Sequence, residues 1–554
     1  MRGTDPNALY AQAKCGDTIL LEAGKSITQN PVWPRKGCDD HHYITLRTST
    51  PDTYLPPEGS RIYPCYFGVM SLPGRPKFEN CPASGTASLG FKIVLPTEQT
   101  TRFGDHIRII GVEFEKAQRG LHEGLVMAGA DHIILDRVWI HGVKGEEMKA
   151  GVAERDANYV AVVNSYISDI HCLARVGQCT DAVSIGGGNN RARQGLHGVF
   201  KVYGNFLEAS GQSIMYGGGA SVDTSCDIEI RRNLLFKPLI WNPAHASYDG
   251  GDGQGHPYIV KNHFELKNAC RVYFRGNRMV NVWGGFTQVG AAVLLTPKSD
   301  MGPLGGVCPN CRVTDVTIAY NYISNAAQVL QIFNAQGCNA SRCGGFAEAG
   351  YNYSIHDLIA DGLDSPDTYG GPTPFKVRLS SSPKAPPSFT LHDVAINHIT
   401  VVQQGVLKGG ALALGGPLGP VLKGMVWKNS IFSAGPYGLS PVGGGKRNCA
   451  VSAKPRTPKN MLDACWSAPY SFTHNLIVGG DLVRSNKRPE VWPAGNITNI
   501  STQPGVGFVH LNGGVNGDYH LTAGSRGKGA ADDGKDMGAD IDAVMSEMDE
   551  TSIQ

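Results

Sequence analysis

Short runs of alternating apolar and polar residues recur along this chain, each followed by a turn residue, often Asn, and a second apolar run. The clearest copies are NYVAVVNSYISD (158–169), GVFKVYGNFLEA (198–209), CDIEIRRNLLF (226–236), CRVYFRGNRMVN (270–281) and TDVTIAYNYISN (314–325). Weaker copies begin at DHIRIIGVEFE (105), DHIILDRVWIH (131), HDVAINHITV (392) and GMVWKNSIFSA (424). Successive side chains of a strand face opposite sides, so this alternation predicts short strands with one buried face. Further short strands lie between the copies, as in AVSIGGG (182–188) and SIMYGGG (213–219). The interval between copies is uneven: 26 residues from 105 to 131, but 44 from 270 to 314. A propeller or ankyrin array holds its period better. Uneven repeats suit a coiled solenoid, in which each turn completes its core against the next. The turn residues Asn164, Asn205, Asn233, Asn277 and Asn321 are candidates for an internal amide ladder, or for turns that Asn tolerates in the left-handed conformation.

One stretch, YIVKNHFELKNACRVYFRGN (258–277), carries candidate chemistry. Read by twos, Lys261, His263, Glu265 and Lys267 share one parity, and Phe264 and Leu266 the other. In a strand this places two ammonium groups, an imidazole and a carboxylate on the outward face. Asp181 and Gln212 are expected near Asn262 or Lys261, and Lys267 between the small residue Gly217 and Thr296. A second outward row holds Asp227, Glu229 and Arg231, followed a turn later by Arg271, Tyr273 and Arg275. Arginines in such a row can hold carboxylates in a planar, bidentate manner. The plain alternative is a solvated strand face, whose ion pairs each contribute a few tenths of a kcal/mol.

Composition narrows the class. Among 554 residues, 71 are Gly and only 18% are charged, which favours turns and strands over long solvated helices. A net charge of +2 gives no global field for nucleic acid or membranes, so a polyanion needs a local basic patch. No apolar run approaches the length of a membrane span. The 14 cysteines cluster locally: Cys65 with Cys81, Cys172 with Cys179, Cys308 with Cys311, Cys338 with Cys343, and Cys449 with Cys465. Local pairs of this kind predict disulfides and an oxidising compartment, extracellular, periplasmic or cell-surface. Zinc at Cys308 and Cys311 is the competing reading, with no second CxxC in support. Asn339, Asn352, Asn496 and Asn499 fit the glycosylation sequon. The opening MRGTDPNALYAQAKCGDT has no hydrophobic centre, so any leader is expected to be absent from this chain.

The repeated strand–turn phrase, with CGDTILLEAGKSI (15–27) and DYHLTAGSRGKGAADDGKDMGADID (518–542), resembles proteins of the pectate-lyase-like superfamily. The resemblance implies an all-β chain: a single right-handed parallel β-helix solenoid with capping segments at both ends. On that pattern residues 1–100 form the N-terminal cap and first coils, 101–480 the core with loop insertions, and 481–554 the closing coils and cap. The scaffold is shared by lyases, hydrolases and adhesins, so it does not fix the chemistry.

ELKNACRVYFRGN (265–277) is loosely similar to a segment of chondroitinase-B-like and alginate lyases. There a Lys removes the proton α to a uronate carboxyl group, and calcium or Arg neutralises that carboxylate. The resemblance implies Lys267 as base and Glu265 as a metal ligand. The family carries two acidic residues before its Lys, where this chain has one, and an Arg-His-Gly one coil later, where this chain has TQVG (287–290). Around this core, Lys261 and His263 complete the expected catalytic row, with His263 or Tyr273 as acid. Arg231, Arg271, Tyr273, Arg275, Gln212 and Gln288 are expected to contact substrate, and Trp241 and Trp283 to stack on sugars. Asp249 and Asp252, in the Gly-rich SYDGGDGQGH (247–256), join Glu265 as candidate calcium ligands. No organic cofactor is expected. The function expected is a secreted lyase that cleaves an acidic, uronate-containing polysaccharide by β-elimination. A glycoside hydrolase using paired carboxylates and a non-catalytic glycan-binding surface protein are the alternatives.

Overall fold

A computed structural model describes residues 1–96, 101–117, 122–175, 179–188, 197–219, 221–285, 288–298, 311–334, 349–368, 373–378, 390–405, 408–416, 418–419, 421–442, 448–481 and 491–548. The chain forms two units, Met1–Tyr216 with Asp223–His263, and Gly217–Val222 with Phe264–Asp549.

In the first unit the alternating runs form parallel strands in three rows. Along the first row Ile44, Ile107, Ile133, Val160, Phe200 and Ile228 stand in register. Ile93, Phe114, Ile140, Ile167, Leu207 and Leu235 align along the second. Leu125, Val152, Ile185 and Ile214 align along the third. None of these side chains is more than 1% exposed, so one apolar column fills each row from coil to coil. The second unit repeats the plan. Phe274, Ile318, Ile355, Ile396, Trp427 and Phe472 align in one row. Met279, Ile323, Ala360 and Val401 align in another, and Phe264, Val293, Leu330, Phe375, Leu412 and Leu439 in the third. Each unit therefore has the expected parallel β-helix coils.

The amide ladder is real, and it has a partner column. The Asn233 carbonyl oxygen accepts from the backbone N–H and the side-chain amide of Asn205, both at 3.0 Å. Asn205 in turn accepts from Ser165 N at 2.8 Å, and its amide donates to Val162 O. In the second unit Asn321 accepts from Asn277, and Asn496 from Asn475. The residue before each ladder position takes the left-handed turn: Gly204, Arg232, Gly276 and Tyr320 have φ of 69°, 54°, 61° and 55°. Asn164 is the exception to the expected ladder. It takes the turn itself, at φ 52°, and Ser165 fills the ladder position. Asn496, a sequon residue, spends its amide on Phe472 O and Pro493 O inside the ladder. Asn233→Ala leaves buried donors of Asn205 and the Val202 carbonyl without these partners. It should cost about 1–3 kcal/mol in urea unfolding, and a loss below about 0.5 kcal/mol would show the ladder to be incidental.

Disulfides link Cys15 to Cys38, Cys65 to Cys81, Cys172 to Cys179, and Cys449 to Cys465. Cys226, Cys270 and Cys311 are also oxidised. Cys308, Cys338, Cys343 and the sequon residue Asn339 lie outside the described residues. Among the described helices none is long and apolar enough to cross a membrane.

Strand Arg2–Gly3 pairs with Thr18–Leu21, and between them lies helix Pro6–Gln12, whose N-cap Asp5 accepts from Asn7 N and Ala8 N. The closing segment does not stop at the last coil. It runs back along the second unit: Asp532 meets Lys428, Asp533 meets His398, and Asp540 N donates to Asp357. Helix Ile541–Met548 then buries Val544 and Met548 against Tyr322, Ile359 and Val402.

Candidate functional site

The row from Lys261 to Lys267 is largely withdrawn from water. The strand itself is only Phe264–Leu266, with both end residues fully buried in the core. Ahead of it, in the first unit, Lys261 Nζ lies 2.5 Å from Asp181 Oδ1, and Gln212 Nε2 lies 3.3 Å from the same oxygen. The pairing of Asp181, Gln212 and Lys261 matches the expectation. His263 is completely buried, with Nδ1 3.0 Å from Ser213 Oγ, which corrects its expected outward, open position. In the second unit Lys267 Nζ lies 2.8 Å from Glu265 Oε1. The Glu265 side chain is 2% exposed and that of Lys267 is 16%. Gly218 leaves room that Lys267 itself fills: a β-carbon there would stand 2.8 Å from Lys267 Cδ. The lysine side chain thus fills the space beside this glycine.

This burial separates the row from a solvated strand face. Taking an ion out of water costs several kcal/mol, which good pairing only partly offsets. Lys267 with Glu265 is such a pair, whereas Asp181, with a side chain 34% exposed, keeps part of its water.

The expected substrate contacts divide. Arg271 is exposed, at the left-handed start of strand Ala269–Arg275 (φ 48°). Arg275 is engaged within its own unit. Its guanidinium lies 2.7 Å from Glu547 and donates to Tyr273 Oη, also at 2.7 Å. It also stacks over the Tyr320 ring, and the Glu547 and Tyr273 contacts hold its pKa above the usual arginine value. The backward-running tail supplies Glu547, so the expected anion clamp at Arg275 already holds an internal carboxylate. Arg231 lies 3.4 Å from Glu229, the exposed pairing of a strand face. Trp241 and Trp283 are each 1% exposed, which corrects their expected role as sugar platforms. Trp241 stacks on Tyr258 and carries the Arg75 guanidinium instead. Gln288 is half-buried in a short bridge with Gly285.

The carboxylates of the acidic loop are engaged within the first unit. Asp252 accepts from Arg175, His256 and the backbone N–H groups of Gln254 and His256, which hold its carboxyl below the usual range against the cost of burial. Asp249 accepts from Gly251 N and Tyr258 Oη. These are internal Asx-turn partners, whereas calcium takes six to eight oxygens. Among the described residues, groups of three with metal-ligand spacing include neither Asp249, Asp252 nor Glu265. One such group, Glu113, Glu115 and His141, already holds the Lys92 ammonium, 2.7 and 2.6 Å from the two glutamates.

Glu154 and Asp364, outside the expected site, have carboxyl pKa values raised toward neutrality. Glu154 is wholly buried and shares inward parity with Val152 in the third row of the first unit. Burial pushes its carboxyl up to about 8, although Tyr216 Oη donates to it at 2.9 Å and partly offsets this. Asp364, in the second unit, is raised by burial to about 6, with Lys408 opposing. Nothing in the local pattern around Glu154 distinguishes it from an outward polar residue. Only the register opposite Gly187 and Tyr216 reveals it.

Glu154 gives a pH prediction. Its folded pKa is raised, so the native state keeps a proton that the unfolded chain loses near 4.5. Its contribution is full below that value and is lost as pH rises through about 8. Glu154→Gln should remove this part of the pH dependence of stability. If wild type and variant lose stability in parallel between pH 5 and pH 8.5, Glu154 is not the group.

No protein-family model and no curated protein matches the chain. Among solved structures, a family 6 polysaccharide lyase of Pseudopedobacter saltans is 10% identical, covering 90% of this chain and 99% of its own, with a TM-score of 0.38. A family 6 alginate lyase is 12% identical over 98% of this chain and 58% of its own, with a TM-score of 0.35. A family 28 exopolygalacturonase of Yersinia enterocolitica is 10% identical over 78% of this chain and 71% of its own, with a TM-score of 0.31. Likeness at this level leaves the chemistry to the residues.

Proposed function

We propose that this chain is an exported lyase that cleaves an acidic polysaccharide by β-elimination, with Lys267 as the base. The observation that carries the reading is the Lys267–Glu265 pair: a carboxylate withdrawn from water and an ammonium that still reaches it. Beside Glu265 the free protein favours the charged lysine. A sugar chain laid over the pair removes its remaining water. In the drier site the neutral amine and carboxylic acid gain on the ion pair. The amine then takes the proton α to the uronate carboxyl, the C–O bond β to it breaks, and the leaving oxygen takes the proton of the Glu265 carboxylic acid, which restores the ion pair. Arg271, exposed near this strand, is the proposed partner of the substrate carboxylate, since Arg275 is engaged by Glu547. The disulfides support export.

The test is a panel of purified alginate, polygalacturonate, chondroitin and neutral glycans. An increase in the ultraviolet absorbance of unsaturated uronate on an acidic member is the expected result. New reducing ends without that absorbance would select a hydrolase, and binding with neither would select a glycan-binding protein.

A further inference from the structure

The phrase Asp-His-Ile occurs in two weak copies of the repeat, at 105–107 and 131–133. The two strands pair in register, Asp105 with Asp131 and Ile107 with Ile133. The two histidines share one unusual backbone state, φ 51° at His106 and 55° at His132. Their rings therefore stack, 4.5 Å apart and 6° from parallel, and the Tyr159 ring continues the stack on His132 at 4.2 Å. Both Nε2 atoms face a single carboxylate oxygen: Asp40 Oδ1 lies 3.1 Å from that of His106 and 3.3 Å from that of His132. On the far side of each ring Nδ1 faces the aspartate of its own dipeptide, Asp105 at 3.6 Å and Asp131 at 2.7 Å.

In the neutral tautomer that carries its proton on Nδ1, each imidazole turns its Nε2 lone pair toward Asp40. Two lone pairs and a carboxylate oxygen then converge, a donor set that one cation can accept. Asp40, Asp105 and Asp131 give the cluster three negative charges, against one guanidinium, Arg35, 3.9 Å from Asp131. The three ligand atoms lie within 4.8 Å of one another. The two nitrogen–oxygen separations match the edge, about 3.3 Å, of a tetrahedron with bonds of 2.0–2.1 Å. A tilt of the stacked rings closes the third edge. The Asp40 side chain is 70% exposed, so an ion can enter and water can complete the shell.

We infer that Asp40, His106 and His132 bind one divalent transition-metal ion, of the zinc class. Two imidazoles and one carboxylate with an open position suit zinc rather than calcium, which takes all-oxygen shells. The site is independent of the Lys267 reading.

The test uses tag-free, chelator-stripped full chain, titrated with Zn²⁺ by calorimetry and with Co²⁺ by visible absorption. One ion per chain at micromolar affinity is expected, with thermal stabilisation on binding. Asp40→Ala, on an exposed side chain, and His132→Gln should each weaken binding about tenfold or more. His141→Gln, in the cluster that Lys92 fills, should leave binding unchanged. Failure to take up one ion at micromolar Zn²⁺, or uptake that survives Asp40→Ala combined with His132→Gln, would overturn the site.

Discussion

Lys267→Ala should lower turnover on the acidic polysaccharide by on the order of a hundredfold or more, the usual loss when a general base is removed. The fold should survive, because the side chain occupies the space left by Gly218 and no core position. The variant does leave Glu265 buried without its ammonium. Lys267→Arg keeps the charge but cannot act as a base near neutral pH. It should restore stability without restoring turnover. That pair of results separates a base from a structural cation. If Lys267→Arg recovers most of the activity, the residue binds the substrate's charge and another group removes the proton.

The coils were legible because their signal is local and repeated. Alternation in NYVAVV or CRVYFR predicts a strand without knowledge of its neighbours, and the turn residue marks where the next strand starts. Burial of the outward face was not legible, because it depends on what packs over the strand. His263 follows the parity of an outward residue and is nevertheless fully enclosed, against Ser213. Arg275 was misread for a similar reason. Its partner Glu547 lies 272 residues away, on a tail whose backward course leaves no mark near either residue. The Asp40–His106–His132 cluster was half legible: the repeated Asp-His dipeptide is visible, but Asp40 reaches it only through the fold.

A larger loss of stability is expected at a pair that no pattern announces. Arg75 belongs to the long insertion between strands Ile44–Thr48 and Phe91–Leu95, closed by the Cys65–Cys81 disulfide. The insertion lies over an aromatic column on the second row. Phe67 packs on Trp139, Phe78 packs on Tyr166, and Tyr166 stacks on Phe206 at 4.1 Å. At its edge Arg75 makes a bidentate pair with Glu208, at 2.8 and 2.7 Å, where Glu208 has no exposure at all. Burial opposes the guanidinium charge, but Glu208, with Asp169, holds its pKa above the usual arginine value. Glu208 also accepts from Asp169 N, so the carboxylate ties the insertion to the coil beneath. Arg75→Ala removes one charge and strands the other. Loss of one partner of a buried pair costs about 3–5 kcal/mol, and denaturant unfolding followed by tryptophan fluorescence should show it. Arg75→Met with Glu208→Leu strands no charge, and apolar replacement of a buried pair is often neutral or stabilising. The double variant should therefore be more stable than Arg75→Ala. The single variant should recover at low pH, where Glu208 is protonated, and the double should not change in that way. If Arg75→Ala costs less than about 1 kcal/mol, water reaches Glu208 once the arginine is gone, and the insertion is held by its aromatic contacts alone.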